Sequence, residues 1–372
     1  MLSNGGDVRF RSDRAAARGM LPVLGKTTRA ATRGAENHNF WERKFLKDLE
    51  KPRSIRFEIL NNRRRGRSLW RLFLYGVVMF WVALFRLLPR RQAIFAARLM
   101  AVLFYLGAGR YRKNTVRHLT MAFGDQKSRD EIRRLARRVF LHFATVGVDA
   151  VRIPLYDRPE MDRLVSVRNL HFLDQVRSGR EGFILLAGHF GNWELMGAWL
   201  GRRKINLHVV GAQLPNPWIN RLIVTTRNAA GYTNIERGNA GAKVVKALQD
   251  GFPVALLIDQ DLKGQGVFVE FFGRKAHTPA GPAVLAGKLG VPILPMAMRL
   301  KKDFTYELEC YPPLYYEDTG NREKDVLSLT QRCTAVYEQI IRENPEQWAW
   351  MHRRWRRQPG HSSRYSRRQT PS

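Results

Sequence analysis

Cysteine is almost missing from this chain: two in 372 residues, Cys310 and Cys333. That is too few for a disulfide framework, and their spacing matches no metal-ligand pattern. A folded part in a reducing, cytosolic setting is the simple inference. Acidic residues are also scarce, 32 Asp and Glu against 64 Lys and Arg, for a formal charge of +32. Such an imbalance calls for a polyanionic partner, either nucleic acid or an anionic membrane face. The G-x-S-x-G elbow of serine hydrolases does not occur, and neither does HExxH or CxxC. There is no internal repeat, and Gly238, Gly241 and Gly251 have the wrong spacing for a nucleotide-binding fingerprint. No uncharged apolar run reaches the ~20 residues of a simple transmembrane helix.

What is present begins with a core. At 44% hydrophobic and 11% aromatic the chain is not wholesale disordered. Much of the positive charge sits at the ends: residues 1–67 include Arg63-Arg64-Arg65-Gly66-Arg67, and the far end carries Arg353, Arg354, Arg356, Arg357, Arg364, Arg367 and Arg368. Basic tails of this kind are usually solvated. Four regions follow: a basic, disordered extension over 1–67, a membrane-associated helical segment over 68–110, a catalytic domain over 111–357 and a basic tail over 358–372.

The membrane segment rests on Leu72–Phe85, an uncharged apolar stretch that Arg71 and Arg86 can lengthen by snorkelling. Trp70 and Trp81 suit interfacial anchoring. It starts too far in for a cleavable signal peptide. Upstream arginines favour a cytoplasmic N-terminus if it spans, although Arg90 and Arg91 blunt that signal. A helix lying flat in the headgroup region fits equally. A second apolar helical pattern follows over Ala93–Leu106, and the helix within Asp125–Ile153 has Ser128 and Glu131 placed for a capping box.

Beyond about residue 165, strands and helices alternate, the pattern of an α/β fold with a layered mixed sheet flanked by helices. Strands are expected at Phe183–Ala187, Leu207–Val210, Val254–Ile258, Val291–Met298 and Thr305–Cys310. Helices are expected at Pro217–Ala229, Ala242–Gln249, Pro279–Leu289 and Asp325–Arg342.

The first of those strands runs into His189-Phe190-Gly191-Asn192-Trp193-Glu194. A histidine at the carboxyl end of a strand stands where open α/β sheets place ligands. On a continuous helix, His189 and Glu194 would diverge by roughly 140°. They can meet if His189 lies in a loop and Glu194 in the first helical turn, with Gly188 and Gly191 supplying backbone freedom. A carboxylate on one imidazole nitrogen fixes the tautomer and makes the other a general base. A loop histidine followed by a glutamate serving the helix dipole would leave the same spacing.

Together with Asn216-Pro217-Trp218-Ile219-Asn220 running to Arg227, Leu257-Ile258-Asp259-Gln260-Asp261, Val267–Gly273 and Trp348–Trp355, this hexapeptide resembles the late lipid A biosynthesis acyltransferases, a branch of the glycerolipid acyltransferase superfamily. The similarity covers roughly residues 68 to 357. It implies a membrane-associated O-acyltransferase that moves a fatty acyl chain from an acyl thioester, acyl carrier protein above all, to a hydroxyl of a lipid A precursor. His189 would be the base and Glu194 its orienting partner. The resemblance also pairs Arg227 with Asp259 near the site, where an ordinary ion pair is the plainer account.

Asn192 would cap the helix or donate to an oxyanion, with amides near Gly191, Asn192 and Arg227 as further donors. Trp193 would pack. Phe268, Phe271 and Phe272 would line an acyl pocket or fill strand core. Thr278 and Gly281 would open a helix able to receive an anion; Asp261 and Lys263 are weaker candidates. No metal or redox cofactor is implied, and no nucleic acid is expected as partner. A glycolipid acceptor, the acidic carrier protein and an anionic membrane surface would use the positive charge. Placement is expected at the inner (cytoplasmic) membrane, with the catalytic domain facing the cytoplasm. Another glycolipid or a lysophospholipid as acceptor, and a basic nucleic-acid-binding protein, are the alternatives.

Overall fold

The computed structural model describes residues 62–179, 181–236, 240–261 and 266–359. The expected extension and tail lie outside these, apart from 358–359 and from 62–67, which belong to the first helix; Lys263 lies outside as well. Helix α1, Asn62–Leu87, stops before Pro89, whose ring and missing N–H break the ladder, and α2, Arg90–Gly107, starts directly after it. Within α1, Leu69–Leu87 is long and apolar enough to cross a bilayer by length and composition. Helix α3, Gly109–Phe123, leaves α2 at 89°. Helix α4, Arg129–Arg152, opens with the anticipated capping box: Ser128 accepts from the Glu131 amide, and Glu131 accepts from the Ser128 amide.

Then come α5 (Arg158–Leu164), β1 (Val165–Arg168), α6 (His171–Arg177), β2 (Ile184–Ala187), α7 (Trp193–Arg202), β3 (His208–Gly211), α8 (Pro217–Ala229), β4 (Thr233–Glu236), α9 (Ala240–Gln249) and β5 (Val254–Leu257). They are followed by β6 (Gly266–Phe271), β7 (Arg274–Pro279), α10 (Gly281–Leu289), β8 (Ile293–Leu300), β9 (Tyr306–Cys310) and α11 (Arg322–Glu343). Seven strands make one mixed sheet in the order β1-β9-β8-β2-β5-β3-β4, in which β8 and β9 pair antiparallel and the other neighbours are parallel. All five expected strands belong to it. The two that were not anticipated, β1 and β4, are its edges, where one flank is unpaired and the burial pattern that marks a strand fades.

β6 and β7 form a separate hairpin turned by Phe272 (φ 53°) and Gly273 (φ 68°). A left-handed phenylalanine is unusual. Here its amide donates to Glu338 Oε2 (2.6 Å) and its ring packs edge-on against Phe271 and Phe123.

β2 shows how the sheet is buried. Ile184 and Leu186 belong to a cluster with α9, α10 and α11, whereas Leu185 and Ala187 point into a second cluster with α6 and α7. The two-residue period places helices over both faces. A third, small cluster of Ala93, Ile94, Ala97 and Val148 seats α2 on α4.

Above that seat Arg90 donates through Nε (2.8 Å) and Nη2 (2.7 Å) to the fully buried Asp149. The hydroxyls of Tyr156 (2.8 Å) and Tyr306 (2.6 Å) donate to the same carboxylate. Asn192 Nδ2 donates in turn to the Tyr306 hydroxyl (3.3 Å).

Candidate active site

The register of β2 against β5 builds the site. Ala187 pairs with Leu257. Two residues further on, His189 and Asp259 leave the ends of adjacent parallel strands together. The Asp259 carboxylate accepts from His189 Nδ1 (2.9 Å), from the His189 amide (2.6 Å) and from Trp348 Nε1 (2.8 Å). With Nδ1–H donating to Asp259, the lone pair is on Nε2.

Burial disfavours the charged imidazole, but the Asp259 carboxylate outweighs it and raises the His189 pKa above its ordinary value, with Glu194 adding at longer range. Burial likewise opposes ionisation of Asp259, yet the His189 charge and the three donors bring it down to about 2. The geometry leaves Nε2 able to accept a proton while a carboxylate holds the other nitrogen.

That carboxylate belongs to Asp259, not Glu194. Glu194 does lie in the first turn of α7, as expected, but its carboxylate accepts from Arg227 Nε (3.0 Å) and Nη2 (2.5 Å) and from the Tyr232 hydroxyl (2.8 Å). Burial works against its charge, and Arg227 with Tyr232 overcomes this, so its pKa is lowered. Arg227 Nη1 is held by Asn234 Oδ1 (2.7 Å). The anticipated Arg227–Asp259 couple is therefore replaced by two pairs, Arg227–Glu194 and His189–Asp259.

The loop between β2 and α7 is pinned throughout. Gly191 has φ 58°, and a Cβ there would collide with the Met298 carbonyl, so glycine is required. Its amide donates to the Gln347 carbonyl (2.9 Å), and the Asn192 amide donates to Met298 O (3.0 Å). Both amides are spoken for, which removes them as oxyanion donors. Asn192 is buried, and its Oδ1 caps α7 by accepting from the Leu195 amide (3.0 Å). Trp193 meets the His189 ring edge-on at 5.1 Å.

Other expectations separate here. Phe271 and Phe272 pack among Trp348, Trp350 and Trp355 and so are core. Phe268 stacks edge-on against His277. Thr278 belongs to β7, and its hydroxyl accepts from Arg354 Nη2 (2.5 Å). Arg354, expected on a solvated face, is buried with its Nη1 on the His277 carbonyl (2.6 Å), and burial lowers its pKa to about 10. Asp261 fixes the same segment by accepting from Arg357 Nε (2.8 Å).

The sequence reading overlooked Gln260, Tyr232, Asn234 and His352. Gln260 Nε2 lies 3.1 Å from His189 Nε2 and 3.2 Å from His352 Nε2. Gln260 and His352 sit inside quoted motifs, so their position was a usable signal; Tyr232 and Asn234 had none.

His189, Glu194 and Arg227 line a cavity of about 440 Å³. Val209 and Val210 of β3, Ile223 and Val224 of α8, Leu257 of β5 and Leu285 of α10 line it. Such a volume falls among small-ligand pockets of about 300–1,000 Å³. The arrangement can present an apolar chain to a histidine base.

Comparison with known proteins points to acyl transfer. A family model for bacterial lipid A biosynthesis acyltransferases matches residues 61–357. A phosphatidylinositol mannoside acyltransferase of Mycolicibacterium smegmatis is 27% identical over 226 residues, spanning 59% of this chain and 72% of the relative. The lipid A biosynthesis lauroyltransferase of Escherichia coli K12 is 27% identical over 286 residues, 71% of this chain and 89% of the relative. A solved 1-acyl-sn-glycerophosphate acyltransferase from Thermotoga maritima is 13% identical, covers 67% of this chain and 98% of its own, and has a TM-score of 0.31, too low to bear on the fold. The protein is an acyltransferase of the lipid A or glycolipid type, and the chain belongs to the bacterial lipid A biosynthesis acyltransferase family.

Proposed function

We propose that this enzyme transfers a fatty acyl chain from acyl carrier protein, or another acyl thioester, to a hydroxyl of a lipid A precursor. The observation that carries the reading is His189, with Nδ1 bound to Asp259 and its side chain lining a largely apolar cavity. The donor's acyl chain occupies the cavity, which sets the thioester carbonyl near Nε2. His189 Nε2 takes the proton of the acceptor hydroxyl as the oxygen attacks the carbonyl carbon. The tetrahedral intermediate collapses, the C–S bond breaks, and the thiolate leaves with the proton that the imidazolium returns. Asp259 holds the reactive tautomer and balances the imidazolium. The Gln260 amide, beside Nε2, is a donor for the developing oxyanion.

Glu194 and Arg227 act as one unit in the cavity wall. Their mutual neutralisation leaves no bare charge there, and Glu194 adds to the field favouring imidazolium. The acceptor's phosphates and the acidic carrier protein would both suit the basic surface. We place the catalytic body on the cytoplasmic side of the inner membrane. Both cysteines are free and buried, which accords with that compartment.

The test is a reconstituted transfer assay using labelled acyl carrier protein with a lipid A precursor, a phosphatidylinositol mannoside or a lysophospholipid as acceptor. One added acyl chain on the lipid A precursor, lost in His189→Ala, is the expected result. Transfer confined to another acceptor would overturn the assignment, and equal turnover by the histidine variant would overturn the mechanism.

A further inference from the structure

The Leu69–Leu87 stretch of α1 is long and apolar enough for a bilayer span, yet it touches the catalytic body near both ends. Near its start the Arg71 carbonyl accepts from Asn216 Nδ2 (2.9 Å), and Tyr75 faces Trp218 of α8 at 6.3 Å. Near its end Arg86 Nε donates to the Val151 carbonyl (2.8 Å), and Arg152 Nη1 donates to the carbonyls of Phe85 (2.6 Å) and Leu88 (2.8 Å). Between them Val78, Met79 and the buried Val82 continue one inward stripe. The contacts at Arg71 and Arg86 are fifteen residues apart, about 22 Å along a helix. A span would fit that length inside a hydrocarbon layer about 30 Å thick, and would pull Asn216, Val151 and Arg152 in with it. Polar backbone and guanidinium groups oppose that placement.

The outward face of α1 is apolar, with Leu69, Trp70, Phe73, Val77 and Phe80 exposed. α2 repeats the arrangement: Ala93, Ile94, Ala97 and Ala101 are buried, while Phe95, Leu99, Leu103 and Leu106 form an exposed stripe on the opposite side. α3 is not the second half of a broken span. Its His118 is buried and donates from Nδ1 to the Trp350 carbonyl (2.8 Å), with Leu119 and Phe123 in the main core. Residues 69–124 contain nine Lys and Arg and no Asp or Glu. An apolar double-helix face inside a field of one sign fits an anionic bilayer surface and repels a second copy of itself.

We infer that α1 lies flat in one leaflet beside the outer stripe of α2, as a two-helix platform on an anionic phospholipid bilayer, and does not cross it. α8 then separates platform from cavity: Trp218 meets α1, while Asn220, Ile223, Val224 and Arg227 line the cavity. The inference stands apart from the chemistry at His189, and neither test below reads activity.

The full chain, with one cysteine added ahead of Met1 or with Lys275→Cys, is produced in cells and recovered in inverted inner-membrane vesicles. An impermeant maleimide is then added; Cys310 and Cys333 are buried and silent. A flat α1 leaves both introduced cysteines reactive from the same face. An N-terminal cysteine that reacts only after the vesicles are opened, while Cys at 275 reacts beforehand, overturns the inference. In the second arm, purified Leu99→Glu/Leu103→Glu is floated with vesicles containing phosphatidylglycerol. Binding at least about tenfold weaker than wild type, with an unchanged thermal transition, is expected, since charge replaces inserted apolar surface. Undiminished binding, or self-association in place of flotation, overturns the platform.

Discussion

His189 Nδ1 and Asp259 Oδ1 lie 2.9 Å apart although seventy residues separate them in the chain. The contact is made by the sheet. β2 and β5 are parallel neighbours in fixed register, so the residues leaving their carboxyl ends are neighbours too. Trp348 Nε1 holds the second carboxylate oxygen, which keeps Asp259 from rotating away. An imidazole, the carboxylate that holds it and an indole that fixes the carboxylate are thus assembled from three distant segments.

Replacing His189 with Ala is expected to lower transfer by about 10²–10⁴-fold, the usual worth of a general base. Circular dichroism should match wild type, while the thermal transition should drop, because the buried Asp259 carboxylate loses its imidazole partner. A single-turnover acyl-transfer assay checks this.

The pH profile isolates the Asp259 contribution. His189 must be neutral to accept a proton, and its pKa is raised mainly by Asp259 acting against burial. The rising limb of kcat/KM should therefore lie above the ordinary histidine value of about 6.5. In Asp259→Asn that limb should move to lower pH as the maximal rate falls. The stability linkage has its own sign: Asp259, depressed to about 2 in the fold, contributes above an unfolded pKa of about 3.9, and that contribution is lost as pH falls toward 2. A limb unmoved in Asp259→Asn would remove Asp259 from the mechanism.

Arg227 and Glu194 should be coupled by about 0.5–3 kcal/mol in a double-mutant cycle of thermal stability. Arg227→Lys keeps the charge but loses the two-point contact, so it should fold with a lower Tm. A cycle of Arg227 with Asp259 should be nearly additive, since no hydrogen bond joins them. Strong coupling there, with none to Glu194, would contradict the observed pairing.

Val224→Trp is expected to narrow the cavity and shift the donor preference toward shorter acyl chains, read as the ratio of kcat/KM for short and long thioesters. Equal loss for every chain length would mean that the acyl group lies elsewhere.

Local signals were legible in the sequence, and non-local pairings were not. The Ser128/Glu131 box, the Asn192 cap and the apolar runs of β2, β5 and β8 each depend on residues within a few positions of one another. The strand after Leu207 and the helix over Pro217–Ala229 were equally plain. Which carboxylate meets His189 depends instead on strand order across the sheet; spacing left the question open, and the family resemblance pointed to the nearby Glu194. Arg354 misled for the opposite reason. It lies in a run of arginines that reads as solvated, but the turn of chain after Trp350 carries it beneath the β6–β7 hairpin.

The Arg90–Asp149–Tyr306–Asn192 chain of hydrogen bonds bears on how this protein can be handled. A fully buried carboxylate in α4 has its cation on α2, and the same network reaches Asn192, which caps α7. Cutting the chain after α2 would strand Asp149, a loss of about 3–5 kcal/mol from a total that is commonly only about 5–15. Helices α1 and α2 are therefore not a detachable anchor on a self-sufficient enzyme. A water-soluble form is to be sought by repainting the outer faces of α1 and α2 with polar side chains, leaving Arg90 and the inward stripes in place.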